Sequence, residues 1–201
     1  MLVRFFAEEF QGTLIADFLG AYNRLVAAGK QRCLVHLLRE LKTVEQRKDT
    51  SVDWPAFRKL LRRLLGDAFR LKRREEIGSD HFAALKERLE RRLDDILNTT
   101  WRNGNVRRLC KRLRRHRNEL FTFLEQAEVS ADNNHAEREI RPVVIMRKNI
   151  LGNRSRKGAR TQAILMSVYR TLKLRQHDPI KTIFTAVATY QRTGSLPPLP
   201  E

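Results

Sequence analysis

Apolar residues recur at every third or fourth position through most of the segment from residue 53 to residue 125. This spacing places them on one face of an α-helix, and the pattern is too long for strands. The recurring positions are Trp54, Phe57, Leu60, Leu61, Leu64 and Leu65, then Phe82, Leu85, Leu89, Leu93 and Ile96, then Leu109, Leu113, Leu120 and Phe123. Candidate breaks lie at Gly66, at Gly78-Ser79-Asp80 and at Asn103-Gly104-Asn105. The segment therefore predicts a bundle of antiparallel helices with an apolar interior.

The opposite faces of these predicted helices are rich in Arg and Lys. The chain has 41 Lys and Arg against 23 Asp and Glu, which gives a net charge of +18. Its 41% of hydrophobic residues is enough for a folded core. An excess of charge this large repels itself unless a polyanion neutralises it, so nucleic acid is the expected partner. The alternative is a protein whose Arg-rich helix faces are simply solvated.

The cysteine content and the absence of long apolar runs predict a cytoplasmic protein with no membrane partner. Cys33 and Cys110 are far apart and make no disulfide framework. No apolar run approaches the roughly 20 residues that a membrane span needs. Cys33 and His36 have the spacing of half a zinc site, but no second pair accompanies them, so buried structural roles are favoured for both.

A short apolar run, Leu14-Ile15-Ala16, is bounded by Gly12 and Asp17. This pattern is typical of a buried strand that ends on a carboxylate. Acidic residues at the ends of such strands often belong to ligand sites in α/β folds, although Asp also commonly terminates strands. Residues 19–28 then return to a helical pattern, with Tyr22, Leu25 and Val26 on one face.

Residues 132–142 place one acidic side chain at the start of a cationic helix. Asp132, Asn133 and Asn134 are good N-cap residues, so a helix is expected to begin here and run toward Pro142. Glu137 is followed by Arg138, and Arg141 lies four residues on, on the same face. A carboxylate in this setting is either a metal ligand beside a phosphate site or, more commonly, part of a surface ion pair.

Residues 142–160 read as a polar, basic connection. The cations are Arg147, Lys148, Arg154, Arg156 and Lys157, with Gly152 and Gly158 among them. Glycine with closely spaced cations suits a flexible arm along a phosphate backbone. The segment lacks the spacing of a P-loop, so it does not predict nucleotide binding. Helices are expected again over 161–174 and 180–190, followed by an extended Pro-rich tail.

Three segments of the chain resemble the transposases of the insertion sequence 66 family. Gly12 to Asn23 is similar to the family's strand that carries the second catalytic Asp, and Lys30 to Arg39 is similar to the segment after it. Asp132 to Pro142, with Arg147-Lys148-Asn149, resembles the family's most specific motif, whose Glu completes a metal triad. The resemblance covers essentially the whole chain.

The resemblance implies an enzyme that cuts and joins DNA with a ribonuclease-H-like fold and an Asp-Asp-Glu triad. Asp17 and Glu137 are then its second and third catalytic carboxylates and ligands of Mg²⁺ or Mn²⁺. Arg138, Arg141, Arg147 and Lys148 are expected to hold DNA phosphates, and Arg154, Arg156 and Lys157 to follow the DNA backbone. Transposon ends and target DNA are the implied partners, in the cytoplasm and associated with the nucleoid, and a homo-oligomer is left open.

The expected fold is mainly α with a small α/β remnant. A partial ribonuclease-H-like core is expected over residues 1–40, a helical insertion domain over 41–128, C-terminal helices of the catalytic core with the Glu motif over 129–192, and an extended tail over 193–201. The family's first catalytic Asp has no counterpart in residues 1–11, which contain Glu8 and Glu9 and read as the end of a helix. The resemblance therefore implies a truncated copy that is inactive alone. The alternatives are a non-catalytic, basic, helical nucleic-acid-binding protein and a fragment that does not fold stably.

Overall fold

The computed structural model describes residues 10–46, 52–74 and 77–201. The chain forms two compact units, a first unit up to residue 135 and a second unit from residue 136 to the C-terminus. The end of a helix was expected over residues 1–11, of which residues 1–9, with Glu8 and Glu9, lie outside the described residues. That prediction is wrong for Phe10 and Gln11, because both belong to a strand.

The first unit begins with two parallel strands, β1 (Phe10–Ala16) and β2 (Ala27–Arg32). The strand predicted at residues 14–16 is confirmed, although only Ala16 in it is buried. The helical pattern predicted for residues 19–28 is wrong, since only a short 3₁₀ turn forms at Gly20–Arg24 before β2 starts. The reason is that Leu25 is buried while Val26 is 57% exposed, so the two side chains do not share a helix face.

The strands approach closely at Gly29, which lies opposite Thr13. A Cβ at Gly29 would stand 2.6 Å from the Thr13 hydroxyl oxygen, so only glycine fits this position without a shift. That hydroxyl donates a 2.7 Å hydrogen bond to Oε1 of Gln126, far along the chain. The sheet is thereby tied to the end of the helical segment.

The far edge of β2 is covered by two short 3₁₀ turns, Arg117–Glu119 and Thr122–Leu124. Oγ1 of Thr122 donates to the carbonyl oxygen of Lys30 at 2.6 Å. Gln31 is fully buried; its Nε2 donates to the carbonyl oxygen of Leu120 at 3.1 Å, and its Oε1 accepts from the backbone N–H of Phe123 at 2.9 Å. Side chains therefore supply hydrogen bonds at this edge of β2, where a larger sheet has the backbone of another strand.

Four helices complete most of the first unit: α1 (Leu34–Gln46), α2 (Trp54–Arg74), α3 (Asp80–Asn98) and α4 (Gly104–Arg115). Ser79 caps α3 by accepting from the backbone N–H of Phe82, and Asn103 caps α4 through two backbone amides. Breaks at these two positions are confirmed. The break predicted at Gly66 is wrong, because α2 continues through it. Burial of Leu65 and Ala68 on either side outweighs the roughly 1 kcal/mol that a helical glycine costs.

The core of the first unit is built from the apolar faces of these helices. Phe57 is fully buried on α2, with its ring centroid 6.2 Å from that of Trp54 and 5.5 Å from that of Trp101. Leu60, which the repeat also included, is instead 47% exposed. The mainly α prediction is confirmed, and the ribonuclease-H-like core stays a prediction.

The second unit contains the rest of α5 (Asn134–Asn149), then α6 (Arg156–Leu174) and α7 (Pro179–Thr193). The basic connection predicted for residues 142–160 is wrong for most of its length, because α5 runs through Pro142 to Asn149 and α6 already begins at Arg156. Pro142 removes one backbone donor, but the helix continues on both sides of it. In the part of the chain that the structure describes, no helix has the length and apolar character that a membrane span requires.

Candidate functional site

Asp17 directly follows β1, where the chain leaves the sheet. One carboxylate oxygen, Oδ1, accepts a 2.8 Å hydrogen bond from the backbone N–H of Leu19, which fixes the side chain at the start of the turn. The residue is half-buried, so its carboxylate is held by the backbone and still reaches solvent. This is the position expected for an acidic ligand at the end of a strand.

Arg32 fixes the backbone of Asp17 from the neighbouring strand. It ends β2 opposite Ala16 and is 2% exposed. Its Nη1 donates to the carbonyl oxygen of Asp17 at 2.8 Å, and its Nη2 donates to Oδ1 of Asn23 at 2.7 Å. One buried guanidinium therefore ties together both ends of the turn that carries Asp17.

The charge of Arg32 is balanced by the segment that follows α4. Its Nε donates to Oε2 of Glu119 at 2.5 Å, and the same oxygen lies 3.1 Å from Nδ1 of His116. The His116 ring meets the edge of the Phe18 ring at a centroid distance of 5.8 Å. The guanidinium carbon of Arg112 lies over the same Phe18 ring, 4.5 Å from its centroid. The helical segment thus supports the Asp17 turn with charge and with aromatic contact.

His116 is 4% exposed in this network. Burial lowers the pKa of the imidazole below its ordinary value of 6.5, and the charge of Arg32 lowers the pKa further, against the opposing effect of Glu119. The unfolded chain therefore binds a proton at His116 more readily than the folded chain does. Stability from the neutral ring is present above pH 6.5 and is lost as the pH falls from there toward the folded-state pKa.

We expect the melting temperature to fall between pH 7.5 and pH 5.5, and the substitution His116→Asn to reduce that dependence. An Asn amide can still donate to Glu119 but does not titrate. Thermal unfolding followed by circular dichroism across this range measures the effect. His81→Asn is the matched control, because it replaces an exposed histidine of α3 outside this network. Equal slopes for the wild type and His116→Asn would contradict the assignment.

Glu137 lies in the first turn of α5 and is half-buried. Oδ1 of Asp132 accepts from the backbone N–H of Asn134 at 2.9 Å, which confirms that the helix begins at the predicted Asp-Asn-Asn sequence. Nη2 of Arg39 on α1 donates to Oδ1 of Asn134 at 3.2 Å, a contact within the first unit, which ends at residue 135. Two residues further on, Glu139 forms an ion pair with Arg170 of α6.

The cations predicted to contact DNA all lie on exposed positions of the second unit. Arg138, Arg141, Arg147 and Lys148 lie on α5, Arg154 lies in the turn after it, and Arg156 and Lys157 open α6. The first turn of α6 has no acidic residue, and Ser155 caps it by accepting from the backbone N–H of Gly158 at 3.0 Å. Exposed cations at a helix start are favourably placed for phosphate.

The two carboxylates have the donor type that hard cations prefer. Oxygen ligands suit Mg²⁺ and Mn²⁺, whereas the softer zinc site considered at Cys33 and His36 has no support, since Cys33 is buried and free. Among the described residues, no group of three or more His, Cys, Asp and Glu side chains is placed to hold a metal ion. Each of the two carboxylates, Asp17 and Glu137, is of the donor type that such ions take.

Sequence patterns gave no indication of Arg32, Glu119 and His116 as supports of the Asp17 turn. Arg32 precedes an apolar stretch, and Glu119 and His116 lie in an Arg-rich segment that reads as solvent-exposed. The only available signal was an Arg at the end of a strand, next to a strand that ends on Asp. Such a pair predicts a contact only when the strands are known to be parallel neighbours.

Comparison with known proteins identifies the family of the chain. The family model described as Transposase IS66 family matches residues 2–161, which include both Asp17 and Glu137. The chain is 33% identical over 113 residues to the uncharacterized protein y4qI of Sinorhizobium fredii (strain NBRC 101917 / NGR234). That match covers 56% of this chain and 20% of the relative, so the chain spans about a fifth of the relative's length. No solved structure matches the chain significantly. The match over residues 2–161 shows that the chain belongs to the IS66 family of transposases.

Proposed function

We propose that this chain takes part in DNA transposition by metal-dependent strand cleavage and joining, with Asp17 and Glu137 as ligands of Mg²⁺ or Mn²⁺. The observation that carries the proposal is the family match, which spans both carboxylates. The position of Asp17 at a strand end and of Glu137 in the first turn of a helix supports it. Divalent ions at such a site stabilise charge on the attacking and leaving oxygens of a phosphodiester.

Each residue has a distinct part in this proposal. Asp17 presents a carboxylate whose orientation is fixed by the N–H of Leu19 and, through its carbonyl, by Arg32. Glu137 presents a second carboxylate from α5. Arg138, Arg141, Arg147, Lys148, Arg154, Arg156 and Lys157 hold DNA phosphates. These contacts position the strand and do not read its sequence.

The proposal is tested by comparing DNA affinity in EDTA and in Mg²⁺ or Mn²⁺ at constant ionic strength. Divalent ions ordinarily compete for phosphates and weaken binding. A metal ion that bridges the carboxylates to a DNA phosphate strengthens binding instead. We therefore expect Mg²⁺ or Mn²⁺ to raise the affinity for DNA roughly tenfold, or by about 1.4 kcal/mol. Asp17→Asn and Glu137→Gln should each abolish the gain. Fluorescence anisotropy with a labelled duplex measures all three proteins.

Glu87→Gln is the matched control, since Glu87 is 68% exposed on α3 and its loss removes one carboxylate from outside the proposed site. This variant should keep the metal-dependent gain. Loss of the gain in all three variants, or its absence in the wild type, would contradict the assignment of Asp17 and Glu137. Binding that is insensitive to metal and to these substitutions would favour the non-catalytic nucleic-acid-binding alternative.

We do not expect the purified chain alone to nick supercoiled DNA, because two carboxylates hold a pair of metal ions poorly. A plasmid-nicking assay in Mn²⁺ checks this expectation. Nicking that disappears in Glu137→Ala would overturn the expectation of inactivity and would support the proposed role of Glu137.

A further inference from the structure

A groove of about 580 Å³ runs between α2 and α3 in the first unit. Four arginines line it, two from each helix, together with a single carboxylate. The arginines are Arg63, Arg70, Arg88 and Arg92, and the carboxylate is Asp67. The groove therefore carries a net charge of three positive units on two packed helices. No residue of the proposed catalytic site belongs to it.

Asp67 organises half of this charge. Its Oδ2 accepts from Nη1 of Arg92 at 2.7 Å, and its Oδ1 accepts from Nη2 of Arg70. Partial burial opposes ionisation of Asp67, but the hydrogen bonds from Arg92 and Arg70 prevail and lower the pKa of the carboxyl. The carboxylate stays charged at neutral pH and holds the two guanidinium groups from opposite helices at one point of the groove.

Arg63 and Arg88 are exposed and have no ion-pair partner within residues 10–46, 52–74 and 77–201. Arg63 and Arg70 are two helical turns apart, about 10 Å along the helix axis. The four guanidinium groups thus form a track along the groove rather than one anion pocket. A track of this kind fits a chain of anions better than a single small anion.

The floor of the groove is apolar. Leu71 and Leu89 are 6% and 4% exposed beneath the arginines. Guanidinium groups above an apolar floor are less well hydrated, which strengthens their interaction with an anion. Arginine presents a planar fork of donors that matches the oxygens of a phosphate. The net charge of +18 on the chain attracts polyanions to this surface as a whole.

From this arrangement we propose that the α2–α3 groove binds the phosphodiester backbone of DNA, at a surface separate from the cations of α5 and α6. The inference rests on the proposed function, which makes DNA the partner of the chain. Arg63 and Arg88 contact phosphates directly, and Arg70 and Arg92 contact them while held by Asp67. Binding at this groove is independent of divalent metal, because it involves neither Asp17 nor Glu137.

The test compares the double variant Arg63→Gln/Arg88→Gln with the matched control Arg62→Gln/Arg91→Gln in the full chain. Both remove two exposed arginines, one from α2 and one from α3, but Arg62 and Arg91 lie outside the groove. DNA affinity is measured in EDTA by anisotropy over a range of salt concentrations. Circular dichroism and melting temperatures establish that both variants fold as the wild type does.

We expect the groove variant to bind DNA at least tenfold more weakly at low salt. The slope of log affinity against log salt should fall by about 1.8, which corresponds to two phosphates at about 0.9 each. The control should keep both values near those of the wild type. Equal losses in the two variants would overturn the groove and would point to diffuse attraction by the net charge. A wild type that binds no DNA would instead count against the proposed function itself.

Photocrosslinking gives a second measurement that does not depend on removing arginines. Benzoylphenylalanine at Leu60, which lines the groove and is 47% exposed, should crosslink to DNA. The same group at Arg62, outside the groove, should crosslink far less. Equal crosslinking from both positions would overturn the assignment of the groove to DNA. The assignment would also be overturned if an acidic polyglutamate peptide were the only competitor that displaces DNA from Leu60.

Discussion

The substitution Arg32→Met is expected to lower the free energy of unfolding by about 3–5 kcal/mol, the usual cost of breaking a buried ion pair. Arg32 is 2% exposed, and it donates to the carbonyl of Asp17, to Asn23 and to Glu119. Methionine fills a similar volume but satisfies none of these acceptors. The carboxylate of Glu119 is left without its main partner, and the Asp17 turn loses its link to β2.

Urea unfolding followed by circular dichroism measures this loss, and Arg24→Met, at an exposed position in the same turn, is the control. The control should change the free energy of unfolding by less than about 0.5 kcal/mol. The double variant Arg32→Met/Glu119→Gln should recover part of the loss, because it also removes the unpaired charge. A loss below about 1 kcal/mol in Arg32→Met would show that the network holds the turn weakly.

The substitution Phe57→Ala is expected to lower the free energy of unfolding by about 3–5 kcal/mol, the range for truncating a buried aromatic ring. Phe57 is fully buried and packs between Trp54 and Trp101. Removal of the ring leaves a cavity among α2 and the segment before α4. The effect should appear as an earlier urea midpoint, with intrinsic tryptophan fluorescence as a second signal.

Leu60→Ala is the control for this variant, because Leu60 lies on the same helix but is 47% exposed. Its loss should cost less than about 1 kcal/mol, since little apolar surface returns to water. A similar loss at both positions would show that the exposed side of α2 is buried in solution. No change in Phe57→Ala would contradict the described core.

Much of the helical architecture was predictable because its helices bury a regular apolar face. The apolar repeat from Trp54 onward, with the breaks at Gly78-Ser79-Asp80 and Asn103-Gly104-Asn105, predicts α2, α3 and α4. Gly66 does not break α2, since the cost of one glycine is small against the burial of its neighbours.

Strand β2 was not predictable in this way. Its sequence, Ala-Ala-Gly-Lys-Gln-Arg, has no β-branched residue and no apolar alternation. The strand is held by the buried polar side chains of Gln31 and Arg32, whose partners are far away in sequence. Hydrogen bonds of this kind depend on tertiary position, which a local pattern does not contain. The end of α5 also differs from the prediction, because Pro142 removes one backbone donor and the helix continues beyond it to Asn149.

The candidate site was predicted only in part. Asp17 follows a strand and Glu137 opens a helix, as their sequence contexts indicated. Their roles as metal ligands stay a prediction, as do the DNA contacts of the cations on α5 and α6. The groove between α2 and α3 was not predictable from the sequence. The sequence shows which residues are basic but not which of them line the same groove.

The closure of β2 by residues 117–124 has a consequence for the order in which the chain folds. The hydrogen bonds from Thr122 to Lys30 and from Phe123 to Gln31 each join residues 92 positions apart. The sheet is therefore completed only after α2, α3 and α4 have brought this segment back, and contacts of such separation form late. A chain still being synthesised, or one cut within the helical segment, carries Asp17 and Arg32 without Glu119 and without the segment that covers β2.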